Sequence, residues 1–199
     1  MAEKNRSTDP ALGIGLKHWG QKARVYSTCE PSPWFECEWN PSAVYGEYAG
    51  RLAPLSFGQD LVEEYWSLRT NVALYDVPER PVEIAGPDAK PFLNWVFTRG
   101  IDTLAIGRGR YALLCDRNGG LVCDGILFRL AEERYWYVHA DADVFMWLDG
   151  LAQNFDVEVS DPQSWVIQVQ GPNALAVLDR ACDKAVPEPF RYFHAFETT

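Results

Sequence analysis

An Asn-Gly pair between two apolar runs is the feature that most constrains how this chain folds. Residues 110–115 and 121–130 are the apolar runs, and the stretch Asp116-Arg117-Asn118-Gly119-Gly120 lies between them. Asn and Gly both tolerate positive φ, so this pair in such a setting is a strong β-hairpin signal. The sequence therefore predicts two antiparallel strands joined at residues 116–120.

Helices and further strands surround this hairpin. Apolar residues at helical spacing predict three helices, at 60–72 with Asp60 as the N-cap, at 88–97 and at 141–154. Two more strands are predicted at 82–84 and 134–139. Residues 1–60 mix turn formers with aromatic residues and predict an irregular arm. The order predicts an α+β fold of antiparallel strands with packed helices, in three parts: an N-terminal arm and helix over 1–80, a strand-rich unit over 81–155, and the start of a second related unit over 156–199.

One segment of the chain has an internal echo. Residues 82–89, Val-Glu-Ile-Ala-Gly-Pro-Asp-Ala, match residues 167–174, Ile-Gln-Val-Gln-Gly-Pro-Asn-Ala, at an offset of 85 residues. In each copy Gly-Pro ends a strand, and Asp88 or Asn173 is expected to cap the following helix. Two copies are compatible with a coincidence of the strand-turn-helix pattern or with two similar half-units side by side.

Composition excludes several classes of protein. The chain has 199 residues with 47% hydrophobic and 14% aromatic content, unlike a disordered chain. No apolar run approaches the roughly 18–20 residues of a membrane span, and the first residues do not form a signal peptide. The formal charge of −10 argues against nucleic acid and anionic lipid as partners. Five cysteines without a CxxC pair predict reduced thiols, and we expect a cytoplasmic protein with no metal site.

Asp124 is the residue that most requires an explanation. It lies in an apolar strand, where an ionised carboxylate costs several kcal/mol to bury unless it is paired. Its side chain could bond nearby backbone amides, mark a bulge with Gly125, or belong to a functional site. The histidines are scattered along the chain and by spacing alone are more typical of structural residues: His18, His139 and His194. No motif for ATP, dinucleotide or metal chemistry is present.

Several short motifs follow one another in a familiar order: 71–77, 82–89, Arg110-Tyr111, the 118–127 hairpin and 169–172. Their order and spacing resemble the tetrahydrofolate-dependent aminomethyltransferase family. That family includes the glycine-cleavage T-protein, the folate domains of dimethylglycine and sarcosine oxidases, and dimethylsulfoniopropionate demethylase. The last looks closest, because residues 127–132, 135–136 and 140–143 with Trp147 are similar to its pattern. Asp124-Gly125-Ile126 with residues 130–133 is also similar to folate-dependent aryl O-demethylases.

The resemblance implies a T-protein-type fold and a one-carbon transfer to tetrahydrofolate from a small-molecule methyl donor, a sulfonium, amine or ether. Asp124 matches the family's catalytic carboxylate, which contacts the reactive nitrogen edge of the folate, and Tyr111 matches a tyrosine of the folate channel. The similar segments also imply folate contacts at His139 and Asp141. A carboxylate in a dry pocket has a raised pKa and can orient or protonate a folate nitrogen.

The chain departs from the family pattern in three places. Cys123 stands at the first acidic position of the hairpin motif, and Pro78-Glu79-Arg80-Pro81 replaces the Ser-His-Met of T-proteins, which favours a demethylase over the glycine-cleavage substrate. Members of the family are longer than this chain, so we expect a C-terminal half or a partner subunit to supply the remaining residues that bind folate. The alternatives are a non-catalytic folate-binding module and an assembly subunit of the same fold.

The aromatic residues of segments 34–39 and 45–48 are open to two interpretations. They could cover a cationic sulfonium or ammonium substrate, or they could pack as ordinary arm contacts.

Overall fold

The computed structural model describes residues 29–140, 142–183 and 186–198. Its main element is a five-stranded antiparallel sheet with the order β6-β7-β8-β5-β9. The strands are β5 (Val82–Ala85), β6 (Arg108–Cys115), β7 (Leu121–Ala131), β8 (Arg134–His139) and β9 (Glu158–Ser160). The predicted hairpin and third strand are thus confirmed, and β8 has the predicted bounds.

The hairpin turn differs in its geometry from the prediction. Only Gly119 of the Asn-Gly pair has positive φ, at 82°. The loop spans five residues and is closed by Asp116, whose Oδ1 accepts from the backbone N–H groups of Asn118 and Gly120, each at 2.8 Å. An Asp side chain that accepts from backbone donors in this way stabilises the five-residue turn.

Two helices cover one face of the sheet and form the core with it. They are α3 (Ala89–Val96) and α4 (Val144–Leu151), the latter followed by a 3₁₀ turn, Ala152–Asn154. Phe92, Leu93 and Leu148 are fully buried against Ile84 and Leu127 of the sheet. Antiparallel strands that alternate buried and half-exposed residues, with helices on one side, confirm the α+β prediction.

The N-terminal segment is more regular than predicted. Residues 30–56 contain a second sheet, of order β1-β3-β2, and a short helix, so the prediction of an irregular arm is wrong there; the elements are β1 (Glu30–Pro31), α1 (Phe35–Glu38), β2 (Val44–Tyr48) and β3 (Arg51–Ser56). Aromatic residues crowd its small core, with the Phe35 and Tyr45 rings 5.3 Å apart and Trp39 stacked on Tyr45 at 5.8 Å. Proline and glycine residues interrupt the alternation of apolar and polar residues in these strands, so the strands were not predicted from the sequence. The earlier part of the predicted arm lies outside the described residues.

A third, two-stranded sheet joins β4 (Ala73–Val77) to β10 (Val166–Gln170) in antiparallel register, and is flanked by α2 (Leu61–Thr70) and α5 (Ala174–Ala181). Asp60 caps α2 as predicted, its Oδ1 accepting from Val62 N at 2.7 Å. The helix ends two residues earlier than predicted, and neither α2 nor α5 buries a residue.

The internal echo is a repeat in three dimensions. Gly86 and Gly171 have φ of 138° and 127°, and each backbone lies directly against a neighbouring chain segment, at Asp156–Val157 and at Asn71–Val72 respectively. Asp88 N donates to Asp156 O at 3.2 Å, and Asn173 N donates to Asn71 O at 3.1 Å. Two similar half-units, not a coincidence of sequence, explain this agreement.

The predicted capping roles of Asp88 and Asn173 are wrong. Neither side chain bonds its own helix. Asp88 Oδ2 instead accepts from Asp156 N at 2.9 Å, and the Asn173 amide donates to Asn71 Oδ1 at 2.9 Å. Each polar side chain therefore joins the start of its helix to a segment distant in the sequence.

The described residues contain no helix that combines the length and the hydropathy of a membrane-spanning segment.

Candidate functional site

The five-stranded sheet has two chemically different faces. Residues opposite one another in the ladder point to the same side, so the register fixes which residues share a face. Leu113 pairs with Asp124, and Tyr111 pairs with Ile126, which in turn pairs with Val138. These side chains lie on the face opposite α3 and α4. We call this surface, defined by Tyr111, Asp124, Ile126, Phe128 and Trp136, the outer face.

Tyr111 and Asp124, which the family resemblance implies as residues of the folate site, contact each other on the outer face. The Tyr111 hydroxyl donates a short hydrogen bond to Asp124 Oδ2. This hydrogen bond, more than the partial desolvation or the nearby charge, raises the pKa of Tyr111. No described group donates to Asp124 Oδ1, so one carboxylate oxygen is available to a ligand N–H. One oxygen of the Asp124 carboxylate is therefore bonded within the protein, and the other can accept a hydrogen bond from a ligand.

Neither structural explanation of Asp124 that the sequence left open is found. The register of β6 and β7 shifts at Leu114/Cys115 and that of β7 and β8 at Arg129/Ala131, so no bulge occurs at Asp124 and Gly125. The partner of the Asp124 side chain is a phenol rather than a backbone amide. The strand is regular at this position, and the carboxylate projects from it.

Beside this pair the outer face is apolar and aromatic. The Phe128 ring lies over Gly109 of the neighbouring strand, where an added Cβ would be 2.6 Å from the ring. A side chain at position 109 would therefore displace the Phe128 ring. Ile126 and Phe128 were not predicted as residues of the candidate site, because the register shift next to the hairpin loop prevents counting outward from the turn. The alternation within β7 itself, starting from Asp124, was the available signal.

An ionic cluster closes the far end of the outer face. Glu83 Oε2 accepts from Arg134 Nε at 2.7 Å and from Trp136 Nε1 at 2.6 Å. Arg134 also bonds Glu197 at 2.9 Å. This second bond attaches the C-terminal segment to the sheet. The outer face thus runs from a carboxylate–phenol pair, across apolar rings, to a group of charges.

His139 lies on the opposite side of the sheet from Asp124. It pairs with Gly125, is 3% exposed, and its ring stacks on Tyr137 at 5.7 Å. Its Nδ1 is 2.6 Å from Ala140 O and 3.9 Å from the Cys123 sulfur. The cofactor prediction grouped His139 with Tyr111 and Asp124. The structure instead places His139 on the other face of the sheet. The other predicted contact, Asp141, lies outside the described residues.

A cavity of about 750 Å³ adjoins His139 on that side. Its lining includes the Arg80–Asp161 ion pair, with 2.7 Å between Arg80 NH2 and Asp161 Oδ2, and the first turn of α4. Neither Tyr111 nor Asp124 lines this cavity. In the described residues, no group of three or more His, Cys, Asp or Glu side chains is arranged to hold a metal.

Comparison with known proteins agrees with this fold. The model of the GCVT N-terminal domain family matches residues 36–199. The chain belongs to this family. It is 33% identical to an aminomethyltransferase of Streptomyces coelicolor over 147 residues, which is 71% of this chain and 39% of that protein. It is 32% identical to an aminomethyltransferase of Thermus thermophilus over 158 residues, or 76% of this chain and 45% of that protein.

A solved structure gives the same result in three dimensions. The glycine cleavage system aminomethyltransferase T of Bartonella henselae superimposes with a TM-score of 0.73 at 29% identity, covering 83% of this chain and 46% of that one. The T-protein-type α+β fold is therefore confirmed. The chain spans less than half the length of these three relatives.

Proposed function

We propose that the outer face binds tetrahydrofolate and that the protein takes part in one-carbon transfer to it. The observation that carries the proposal is the Tyr111–Asp124 pair on an otherwise apolar strand surface, where no group among the described residues donates to Asp124 Oδ1. The names of the relatives support it, since two are aminomethyltransferases and the third belongs to the glycine cleavage system.

The residues on the outer face suit the chemistry of a reduced pterin. Asp124 accepts a hydrogen bond from an N–H at the reactive edge of the ring, and Tyr111 orients the carboxylate by its own hydrogen bond. Ile126 and Phe128 provide an apolar surface for a planar ring. Folate accepts the carbon unit, and the protein aligns donor and acceptor, which is worth several kcal/mol and up to roughly 7–11 for ideal geometry.

We propose a demethylase as the specific activity, with a small sulfonium, amine or ether as donor. The support for this finer assignment is Pro78-Glu79-Arg80-Pro81 after β4, together with the segment from Ala140 to Trp147, both of which resemble the demethylases. The side chains that contact a donor beside folate on the outer face determine which donor is used. Screening candidate donors identifies it directly.

The test is a transfer assay in which the folate product is identified by its mass. The chain is incubated with tetrahydrofolate and one donor at a time: dimethylsulfoniopropionate, dimethylglycine or an aryl methyl ether. Mass spectrometry then detects methyl- or methylenetetrahydrofolate. We expect product from the wild type and none from Asp124→Asn, whose circular dichroism and melting temperature stay those of the wild type. Full turnover by Asp124→Asn would refute the assignment.

A non-catalytic folate-binding module is the second candidate. The observation that favours it is the span of the chain, less than half of the relatives. Saturable folate binding that depends on Asp124, without product from any donor, is the result that selects it.

A further inference from the structure

A second pocket lies on the helix side of the central sheet, at the end where the β6–β7 hairpin turns. Its volume is about 480 Å³, and its walls come from the last turn of α3, from α4 and from the hairpin loop. Helices α3 and α4 cover the sheet face opposite Tyr111 and Asp124, and neither of these two residues lines the pocket. The pocket is therefore separate from the outer face.

Two tryptophans line this pocket, one from each helix. Trp95 is 60% exposed and Trp147 is 38% exposed. The Trp95 ring packs on the Phe155 ring at 5.6 Å, which holds its orientation. Trp147 and Leu151 are four residues apart on α4 and therefore share one side of the helix. Large indoles that open into the same pocket are typical of a ligand site, because burying them would stabilise the protein and they are left uncovered.

The surroundings of the indoles favour a positive charge. Asp116 is half-buried and lines the pocket; its Oδ1 accepts from the loop backbone, and no group in the described chain donates to its Oδ2. The last turn of α3 carries Trp95 and contains no basic residue, so the negative end of the helix dipole has no cation of its own. A carboxylate, a helix C-terminus and two electron-rich indole faces all attract a cation.

Arg117 gives the pocket a second kind of charge. Its side chain lines the pocket and is exposed, and it forms no ion pair or hydrogen bond with any residue that the structure describes. A guanidinium group suits a carboxylate, which it can hold by two parallel hydrogen bonds. The pocket therefore offers sites for opposite charges on one small ligand.

The apolar walls select the type of cation. An ammonium with several N–H groups needs several acceptors, and an N–H left unsatisfied beside Trp95, Trp147 and Leu151 would weaken binding. A methylated onium group has no N–H to satisfy, and its methyl groups contact indole faces directly, as in the aromatic cages that bind quaternary ammonium ligands.

We propose that this pocket binds a small onium carboxylate, with the methylated cationic centre against Trp95 and Trp147 near Asp116 and the carboxylate on Arg117. The site is distinct from the proposed folate surface, and binding there requires no folate.

The test is isothermal titration calorimetry of the whole chain with trimethylglycine, without folate. We expect saturable binding with one site per chain. The matched ligand is 3,3-dimethylbutyrate, which has the same shape with a carbon atom in place of the charged nitrogen, and we expect it to bind about tenfold more weakly or less. Equal affinity of the two ligands would overturn the proposal, as would no binding of trimethylglycine by the folded chain at millimolar concentration.

Variants locate the site. Trp95→Leu and Trp147→Leu are each expected to weaken binding by about fivefold or more, and Trp95→Phe by less, because it keeps an aromatic face. The matched control is Trp66→Leu on α2, since Trp66 is 57% exposed and does not line the pocket. All four variants are first shown to be folded by a thermal melt. Binding by folded Trp95→Leu and Trp147→Leu that equals the control would contradict the proposal.

A second pair of measurements tests the carboxylate partner and the location. Arg117→Gln is expected to weaken trimethylglycine binding but leave choline binding unchanged, because choline has the onium group and no carboxylate. Asp124→Asn is expected to bind trimethylglycine as the wild type does. Weakened binding by Asp124→Asn, with none in the tryptophan variants, would place the ligand on the outer face and overturn the proposal. Failure of folate binding or transfer would leave all these outcomes unchanged.

Discussion

Gly125→Ala tests the packing of the strand that carries Asp124. A Cβ at Gly125 would be 2.8 Å from His139 Cα and 3.0 Å from the Tyr137 ring, and closer still to Val138 O. Ordinary contacts of a Cβ begin at about 3.4 Å, so β7 and β8 must move apart by more than half an ångström. Overpacking of this kind costs about 1–3 kcal/mol. The smaller entropy of the unfolded chain with Ala returns about 0.4–1 kcal/mol, so the variant is destabilised overall.

The assay is thermal unfolding followed by circular dichroism. The close approach to backbone atoms puts the overpacking cost near the upper end of its range, which leaves a net loss of about 2 kcal/mol. For a chain of this length, each kcal/mol shifts the Tm by about 2–4 °C, so we expect a fall of about 4–8 °C. The matched control is Gly150→Ala in α4, where an added Cβ meets nothing within 4 Å. That change replaces a helical glycine and is expected to raise stability by about 0.5–1 kcal/mol. A Gly125→Ala variant as stable as the wild type would refute the close approach of β7 and β8.

Three further predictions concern stability. Burial, and after it the negative charge of Asp76, raise the pKa of Glu38 to about 7 from its usual 4.5. The folded state therefore holds this proton more tightly than the unfolded state, so stability falls as pH rises from about 4.5 to 7; urea midpoints across that range are expected to decline less in Glu38→Gln. Leu148→Ala empties a fully buried position and is expected to cost about 2–5 kcal/mol in urea unfolding, whereas Met146→Ala, exposed on the same helix, changes it by less than about 0.5. Asp60→Ala removes the α2 cap and is expected to cost about 1 kcal/mol, with Asp60→Asn retaining most of the stability.

The central sheet was predictable because its signals are local. The hairpin, β8 and the Asp60 cap follow from turn chemistry and the spacing of apolar residues within a few positions. The N-terminal strands were missed because Pro54 and Gly46 interrupt their alternation, and their stability comes from aromatic contacts between segments, such as Phe35 with Tyr45. Local patterns do not report such contacts.

The site was predictable only in part. Tyr111 and Asp124 were identified by resemblance, and the structure pairs them. His139 lies on the other face because successive residues of a strand point to alternate sides of the sheet. The register of β7 and β8 pairs it with Gly125 and not with Asp124. The roles of Asp88 and Asn173 were misjudged for a similar reason: each side chain bonds a segment 68 or 102 residues away. Long-range partners decide these positions, and no short motif contains them.

The central claim is that tetrahydrofolate binds on the outer face against Asp124. The most direct measurement is a tetrahydrofolate titration followed by tryptophan fluorescence, on the wild type, Asp124→Ala, Tyr111→Phe and the control Glu64→Gln in α2, each first shown to be folded by a thermal melt. We predict saturable quenching in the wild type and in Glu64→Gln, weaker binding in Tyr111→Phe, and the weakest in Asp124→Ala. Equal affinity in all four folded proteins, or no binding by any of them, would contradict the account.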